Sequence, residues 1–434
     1  MANKRKIIND PVFGFLTIPN ELIFDVLQHP YVQRLNRIRQ LGLSYLVYPG
    51  AMHSRFGHSL GAMHLMQEAI LSLRMKGVEI TNEEETSAMI AILLHDIGHG
   101  PFSHVLEHTL VDGVTHEDIS LLMMERINED LSTEHRPLDM AIAIFKNEYP
   151  KHFLHQLISS QLDVDRMDYL CRDSFFTGVQ EGRIASERLL KMLDVKEDKL
   201  VVQIKGIYSV EKFLVARRLM YWQVYLHKTS VAAEQHLIKI LSRAKELARQ
   251  NTEHRTQNTE HRTQNTEHRT QNTDLFCSPA LKYFLYQPVT FADFGVHSEA
   301  LEQYALLDDN DVLCAIKAWI ASEDKVLSKL SASFINRRLF RGELIEAPLT
   351  EAQKAALNKE YAEVLGISEE DAAYMWSEHV STSNTYSEKG DSIGILYNDG
   401  TVRDISEASE ILDLKSLTYK PVKRYIFKYR LNGI

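Results

Sequence analysis

Cysteine is scarce in this chain of 434 residues. Cys171, Cys277 and Cys314 stand far apart and form no Cys-x-x-Cys pair, which excludes a disulfide scaffold and a paired-thiol redox or zinc motif. Each reads as a small buried hydrophobe, and the set fits a reducing, cytoplasmic location. The opening residues, MANKRKIINDPVFG, lack the apolar stretch of a secretory signal. No apolar run approaches the roughly eighteen residues of a membrane helix, so no membrane partner is expected. Positive charge is also in deficit, with 49 Lys and Arg against 59 Asp and Glu, a formal net charge of -10. Such a balance opposes general binding to nucleic acid or anionic membrane. A polyanionic ligand would have to meet a local cluster of arginine, lysine or metal.

The composition is otherwise that of a globular protein, 44% hydrophobic and 25% charged. Helical periodicity dominates residues 20–250. Asn82 followed by Glu85 predicts a helix start, and Gly98, Gly100 and Pro101 predict where that helix has ended. A second helix is expected in SHVLEHTL, others in EHRPLDMAIAIFKNEY and ISSQLDVDRMDYLCRDS, and a long one from SVEKFLVARR to SRAKELA. DKLVVQIKG alternates like a strand. Residues 251–271 are three copies of NTEHRTQ. The period suits a coiled coil, but no apolar residue fills a seam, and Thr and Asn are weak helix formers. The repeats read as a solvated spacer, not as a metal site. Beyond them, helices are expected at 309–322, 351–364 and 368–378, a hairpin at Asn398-Asp399-Gly400 and a strand in YIFKYRL. The expected fold is mainly α: a helical core over 1–250, a low-complexity insert over 251–274, and a small α+β region over 275–434.

The segment LLHDIGHGPFSH, residues 93–104, carries the chemistry. His95 and Asp96 follow an apolar helical face at spacings of three and four. An unpaired carboxylate buried there would cost several kcal/mol. A divalent cation would compensate, and so would a simple His–Asp hydrogen bond; this segment alone leaves both readings open. HSRFGHSLG adds His58, with Arg55 three positions earlier, and DVDRMDY adds Asp165, Arg166, Asp168 and Tyr169. Two imidazoles and two carboxylates would suit Fe, Mn, Zn, Co or Ni and would be poor for Ca2+.

The order H…HD…D resembles the HD-domain metal-dependent phosphohydrolases. The wider blocks IINDPVFGFL, RLNRIRQLGLSYLVYPGAMHSRFGHSLG, LLHDIGHGPFSHVLE, THED, LDVDRMDYLCRDSFFTGV and YLHK are similar to the deoxynucleoside triphosphate (dNTP) triphosphohydrolases within that group. The resemblance covers residues 6–228, fades after the repeats apart from RRLFR, and implies an HD-domain helical bundle.

It also implies roles. His58, His95, Asp96 and Asp165 would hold a divalent transition metal, with Mg2+ a further candidate on the substrate phosphates. His104 would protonate the leaving 5′-oxygen, with Glu107 fixing its tautomer. His99 and His116 would stand near the phosphates, which Arg55, Arg166 and Arg217 would contact. Tyr169, Asp173 and Tyr225 would meet the deoxyribose, and Gln40 its 3′-hydroxyl. Arg217 and Tyr225 are eight residues apart, about two helical turns, so they would point the same way. A nucleotide effector is a further partner, met by Lys6, Asn9, Asp10, Gln33, His227 and Lys228, with Arg337 and Arg341 as candidates for its phosphate. A homo-oligomer, dimer or tetramer, is implied too. The expected reaction is dNTP plus water giving deoxynucleoside and triphosphate. Two alternatives stay open: another HD phosphohydrolase acting on nucleoside monophosphates, guanosine tetraphosphate or cyclic nucleotides, and an inactive nucleotide-sensing or nucleic-acid-binding protein.

Overall fold

Thr81 starts the helix that carries the histidine-rich segment. Its Oγ1 accepts from Glu84 N at 3.1 Å, and Glu84 Oε2 accepts from Thr81 N at 2.8 Å, closing a capping box. The cap is therefore Thr81 with Glu84, one residue before the expected pair. The helix runs Asn82–Leu94, and every residue from Ser87 to Leu94 is buried, so it lies at the centre of its unit. It packs on helix Arg55–Met75, which packs in turn on helix Val164–Thr177. The last starts later than ISSQLDVDRMDYLCRDS suggested. Asp163 accepts from both Ser160 N and Arg166 N at 2.8 Å, which bends residues 160–163 into a turn before the first helical residue. Gly178, at φ 77°, ends it.

In this computed structural model the described residues are 6–102, 105, 109–111, 113–132, 136–260, 274–382, 392–410 and 421–431, without side chains at 253–260. The chain is mainly α with small sheets. Its contacts divide it into two interleaved units: residues 1–99, 116–227 and 382–422, and residues 100–115, 228–381 and 423–434. No helix among the described residues is long and apolar enough to cross a membrane. The SHVLEHTL helix falls largely outside the described residues, and His104 and Glu107 are among those left out.

The strands are β1 (Lys6–Asp10), β2 (Gly14–Ile18), β3 (Leu193–Lys196), β4 (Lys199–Gln203), β5 (Arg341–Ile345), β6 (Trp376–Thr382), β7 (Gly394–Leu396), β8 (Val402–Asp404) and β9 (Val422–Lys428). In the first unit β1 and β2 form an antiparallel hairpin, and the order β3-β4-β7-β8 makes a four-stranded sheet. The Asn398-Asp399-Gly400 turn joins β7 to β8 as expected, with Gly400 at φ 83°. In the second unit the order is β5-β9-β6, and β9 contains the YIFK of the expected strand. The helix expected at 368–378 shrinks to Glu369–Ala372, because the alternating WSEHVST that follows is strand β6.

The long helix expected from Ser209 onwards is two helices. Ile207–Met220 passes into a π-helical turn, Tyr221–Tyr225, where Leu226 N bonds Tyr221 O at 2.7 Å. No proline or glycine announces this break. A new helix, Lys228–Glu260, belongs to the second unit and runs through the first NTEHRTQ copy into the second. A helix already nucleated extends through weak formers at little cost, so residues 251–260 are helical despite their composition. Residues 261–273 lie outside the described set.

In the second unit His236 is fully buried, stacked on Phe340 with ring centroids 4.3 Å apart and donating Nε2–H to Leu330 O at 3.1 Å. Burial pushes its pKa down to about 3, against the small upward pull of that carbonyl. The unfolded chain takes up this proton near pH 6.5, and the folded chain takes it up only far lower, so stability falls as pH drops below about 6.5. At pH 5 the loss should be about 2 kcal/mol. Denaturant titrations of wild type and His236→Gln between pH 7 and 4.5 check this; the variant should show a shallower decline.

Candidate active site

Two imidazoles meet with fixed tautomers. His58, on the first turn of helix Arg55–Met75, donates Nδ1–H to Asp168 Oδ2 at 2.6 Å. His95 caps helix Asn82–Leu94 and donates Nδ1–H to Ile92 O at 2.7 Å. A carbonyl can only accept, so in the neutral ring of His95 Nε2 is the nitrogen that offers a lone pair, and an ionised Asp168 fixes the neutral ring of His58 likewise. Both Nε2 atoms are buried and have no partner of hydrogen-bond geometry among the described residues. Asp165 Oδ1 stands 3.1 Å from the first and 3.3 Å from the second. Asp96 closes the group, its oxygens 3.8 Å from His58 Nε2 and 3.4 Å from His95 Nε2. Two unpartnered Nε2 atoms, lone-pair donors once deprotonated, facing two carboxylates fit a divalent transition ion.

The electrostatics agree with that fit. Burial alone would lower His58, but the nearby carboxylates of Asp165 and Asp168 raise it to about 10. Burial opposes ionisation of Asp165, yet His58 and His95 hold it well below the usual carboxylate range. Asp96 is held down in the same way, against burial, by His99, His95, Arg55 and His58. An ion entering would displace the protons these imidazoles otherwise retain.

Cationic and aromatic groups surround this cluster. Arg55 Nη1 donates to Asp96 Oδ2 at 2.5 Å. His99 approaches Asp96 Oδ1 at 3.4 Å and stacks on His116 with centroids 3.9 Å apart. Gly98 permits this: a Cβ there would lie 2.1 Å from His116 O and 2.4 Å from Ser120 N. Arg166 donates to Ser160 O and reaches Tyr169 Oη at 3.4 Å. Arg217, on helix Ile207–Met220, donates Nη1 to Gln161 at 3.2 Å, and its buried Nε has no partner among the described residues. Tyr225 donates to Asp173 Oδ2 at 2.8 Å, and its ring meets Tyr169 and Tyr221 edge-on at 5.9 and 5.3 Å. Burial and the neighbouring Asp173 keep the Tyr225 phenol protonated. Gln40 joins the strand-like pairing that leads into helix Arg55–Met75, donating N–H to His53 O at 3.0 Å, and its buried Oε1 has no partner among the described residues. The Arg217–Tyr225 spacing crosses the π turn and is not two ordinary helical turns.

The effector candidates are spread over both units. Lys6 sits over the Phe24 ring at 4.1 Å, exposed Asn9 pairs with Phe15 in the hairpin, Gln33 donates to Leu27 O, and His227 meets the Tyr48 ring at 5.9 Å. Lys228, Arg337 and Arg341 are exposed residues of the second unit, with Arg341 opening β5.

Four further participants had no role in the sequence reading. Asp168 and Arg172 pair at a spacing of four on helix Val164–Thr177, a visible signal. His53 bonds Asp173 Oδ1 at 2.8 Å across 120 residues, and Gln161 is reached from Arg217; neither contact has a local sequence signal.

Known proteins are similar to this chain in sequence and fold. A profile of the HD domain matches residues 55–173, and one of the HD associated region matches residues 184–276. The uncharacterized protein YwfO of Bacillus subtilis is 36% identical over 344 residues, 78% of this chain and 72% of that protein. A SAMHD1 homolog of Dictyostelium discoideum, named a deoxynucleoside triphosphate triphosphohydrolase, is 33% identical over 53% of this chain, which spans only 47% of that relative. The crystal structure of a phosphohydrolase from Bacteroides thetaiotaomicron superposes with a TM-score of 0.89 at 52% identity, covering 98% of this chain and 100% of the other. His58, His95, Asp96 and Asp165 all lie inside the span that the HD-domain profile matches. The chain belongs to the HD-domain phosphohydrolase superfamily.

Proposed function

We propose that the protein hydrolyses deoxynucleoside triphosphates to deoxynucleoside and inorganic triphosphate. The observation that carries this reading is the pair of buried, unpartnered Nε2 atoms of His58 and His95 facing Asp165 and Asp96. Those four residues would hold Fe, Mn, Zn, Co or Ni, which when bound lowers the pKa of water and polarises a phosphoryl oxygen. Arg55, Arg166 and Arg217 supply three cations for a phosphate chain, and the Nε of Arg217, unpartnered among the described residues, leaves a donor for its oxygens. His99 and His116 take the phosphate side, where Mg2+ would also sit. Asp173 is held between His53 and Tyr225, ready to accept from a sugar 3′-hydroxyl, with Gln40 Oε1 as a second acceptor. The Tyr169 and Tyr225 rings wall the sugar, and a ring against C2′ leaves no room for a ribose hydroxyl.

His104, oriented by Glu107, is assigned as the general acid for the leaving 5′-oxygen on the sequence resemblance. A homo-oligomer with a nucleotide effector completes the reading, with Lys6, Asn9, Gln33, His227, Lys228, Arg337 and Arg341 as candidate contacts. Product analysis tests it: with Mn2+ and each of the four dNTPs, deoxynucleoside and intact triphosphate should form in equal amounts. Stepwise release of phosphate or diphosphate would reject it.

A further inference from the structure

A buried line of charged side chains leads from the β1–β2 hairpin to the metal centre. Asp10 ends β1, and its Oδ1 accepts from Val12 N and Phe13 N at 2.9 Å, fixing the hairpin turn. Its Oδ2 accepts from Arg172 Nη1 at 2.7 Å. Arg172 donates Nε and Nη2 to the two oxygens of Asp168 at 3.0 and 2.9 Å. Asp168 Oδ2 then accepts from His58 Nδ1. The members are 8%, 1%, 0% and 0% exposed in that order, Asp10 to His58. Phe13 of the hairpin lies 5.7 Å from the guanidinium, on the ring face. Gly61 confines the pair from helix Arg55–Met75: a Cβ there would stand 1.9 Å from Asp168 Oδ1 and 2.1 Å from Arg172 Nη2.

We propose that Asp10 and Arg172 are positioning residues for the metal centre. Through them the hairpin fixes the carboxylate that sets the orientation and tautomer of His58. The inference rests on the metal-centre reading above. A two-pronged guanidinium grip removes the rotational freedom of Asp168, and partners behind a metal ligand commonly change metal affinity 10–100-fold. Asp10 stops Arg172 from swinging away, because the fork cannot leave Asp168 without stranding a second buried carboxylate.

The test is Mn2+ binding to the full chain by isothermal titration calorimetry, with melting of the metal-free protein alongside. Asp10→Asn keeps the oxygen that caps Val12 and Phe13 and removes the charge that holds Arg172. It should bind Mn2+ roughly tenfold more weakly, and Asp10→Glu should recover most of that loss. Phe15→Ser, at a position 75% exposed on the same hairpin, should bind like wild type. Wild-type affinity in Asp10→Asn, or an equal loss in Phe15→Ser, overturns the proposal. If Asp10→Asn fails to fold, Arg172→Lys replaces it, keeping the charge without the fork and carrying the same expected loss. A wild-type chain that takes up no Mn2+ would sink the metal centre and this inference together. A chain that binds Mn2+ but releases no triphosphate would sink only the dNTP reading.

Discussion

Asp165→Ala is expected to fold and to lose its metal. Asp165 Oδ1 is the oxygen that the Nε2 atoms of both imidazoles face, at 3.1 and 3.3 Å, so removing it takes the ligand set from four side chains to three at the point of convergence. The ion is worth several kcal/mol of transition-state stabilisation, and each 1.36 kcal/mol is tenfold, so turnover should fall roughly a thousandfold or more. Melting gives a reading independent of substrate. An ion present at about 100 times its dissociation constant adds about 2.7 kcal/mol to folding stability. A chelator should therefore lower the melting temperature of wild type and leave that of Asp165→Ala unchanged. A variant that keeps one ion per chain and still responds to the chelator would contradict the ligand assignment.

Asp168→Ala is expected to give the largest loss of stability. Arg172 is 1% exposed and holds Asp168 with Nε and Nη2, so the truncation strands most of a buried cation and leaves the His58 Nδ1–H without its acceptor. Breaking a buried pair from one side costs about 3–5 kcal/mol. Unfolding entropy grows with length, so for 434 residues the shift is about 1 °C per kcal/mol and melting should drop by roughly 3–6 °C. Removing the cation as well, in Asp168→Ala with Arg172→Met, should recover part of the loss, since the stranded charge is gone. Differential scanning calorimetry of the metal-free proteins checks both. A double variant less stable than Asp168→Ala alone would mean that the cost lies in packing and not in charge.

The parts of the site that were legible before the structure are those carried by short-range patterns. His95 and Asp96 could be placed at a helix end because the apolar spacing and the following Gly98, Gly100 and Pro101 define that end. The mainly α character was legible for the same reason: long amphipathic runs report their period. The supports behind the ligands were harder to see. Asp168 and Arg172 carried a helical spacing that could have been used, but the partner that makes Arg172 informative, Asp10, lies 162 residues away. His53 behind Asp173 is equally remote in sequence. Capping detail also escaped. Thr81 and Asn82 are both good caps, and only the reciprocal Thr81–Glu84 bonds decide between them. The π turn at Tyr221–Tyr225 has no compositional marker, so an apolar run with helical spacing was read straight through it. The helix through Asn251–Glu260 was equally hidden, because its weak helix formers are carried by the helix before them.

The most direct measurement is anomalous diffraction from crystals grown with Mn2+. A single strong peak is expected within coordinating distance of His58 Nε2, His95 Nε2, Asp96 and Asp165, and it should vanish in Asp165→Ala crystals. A peak away from these four side chains, or full-length protein that crystallises with Mn2+ and shows none, would contradict the proposed metal centre.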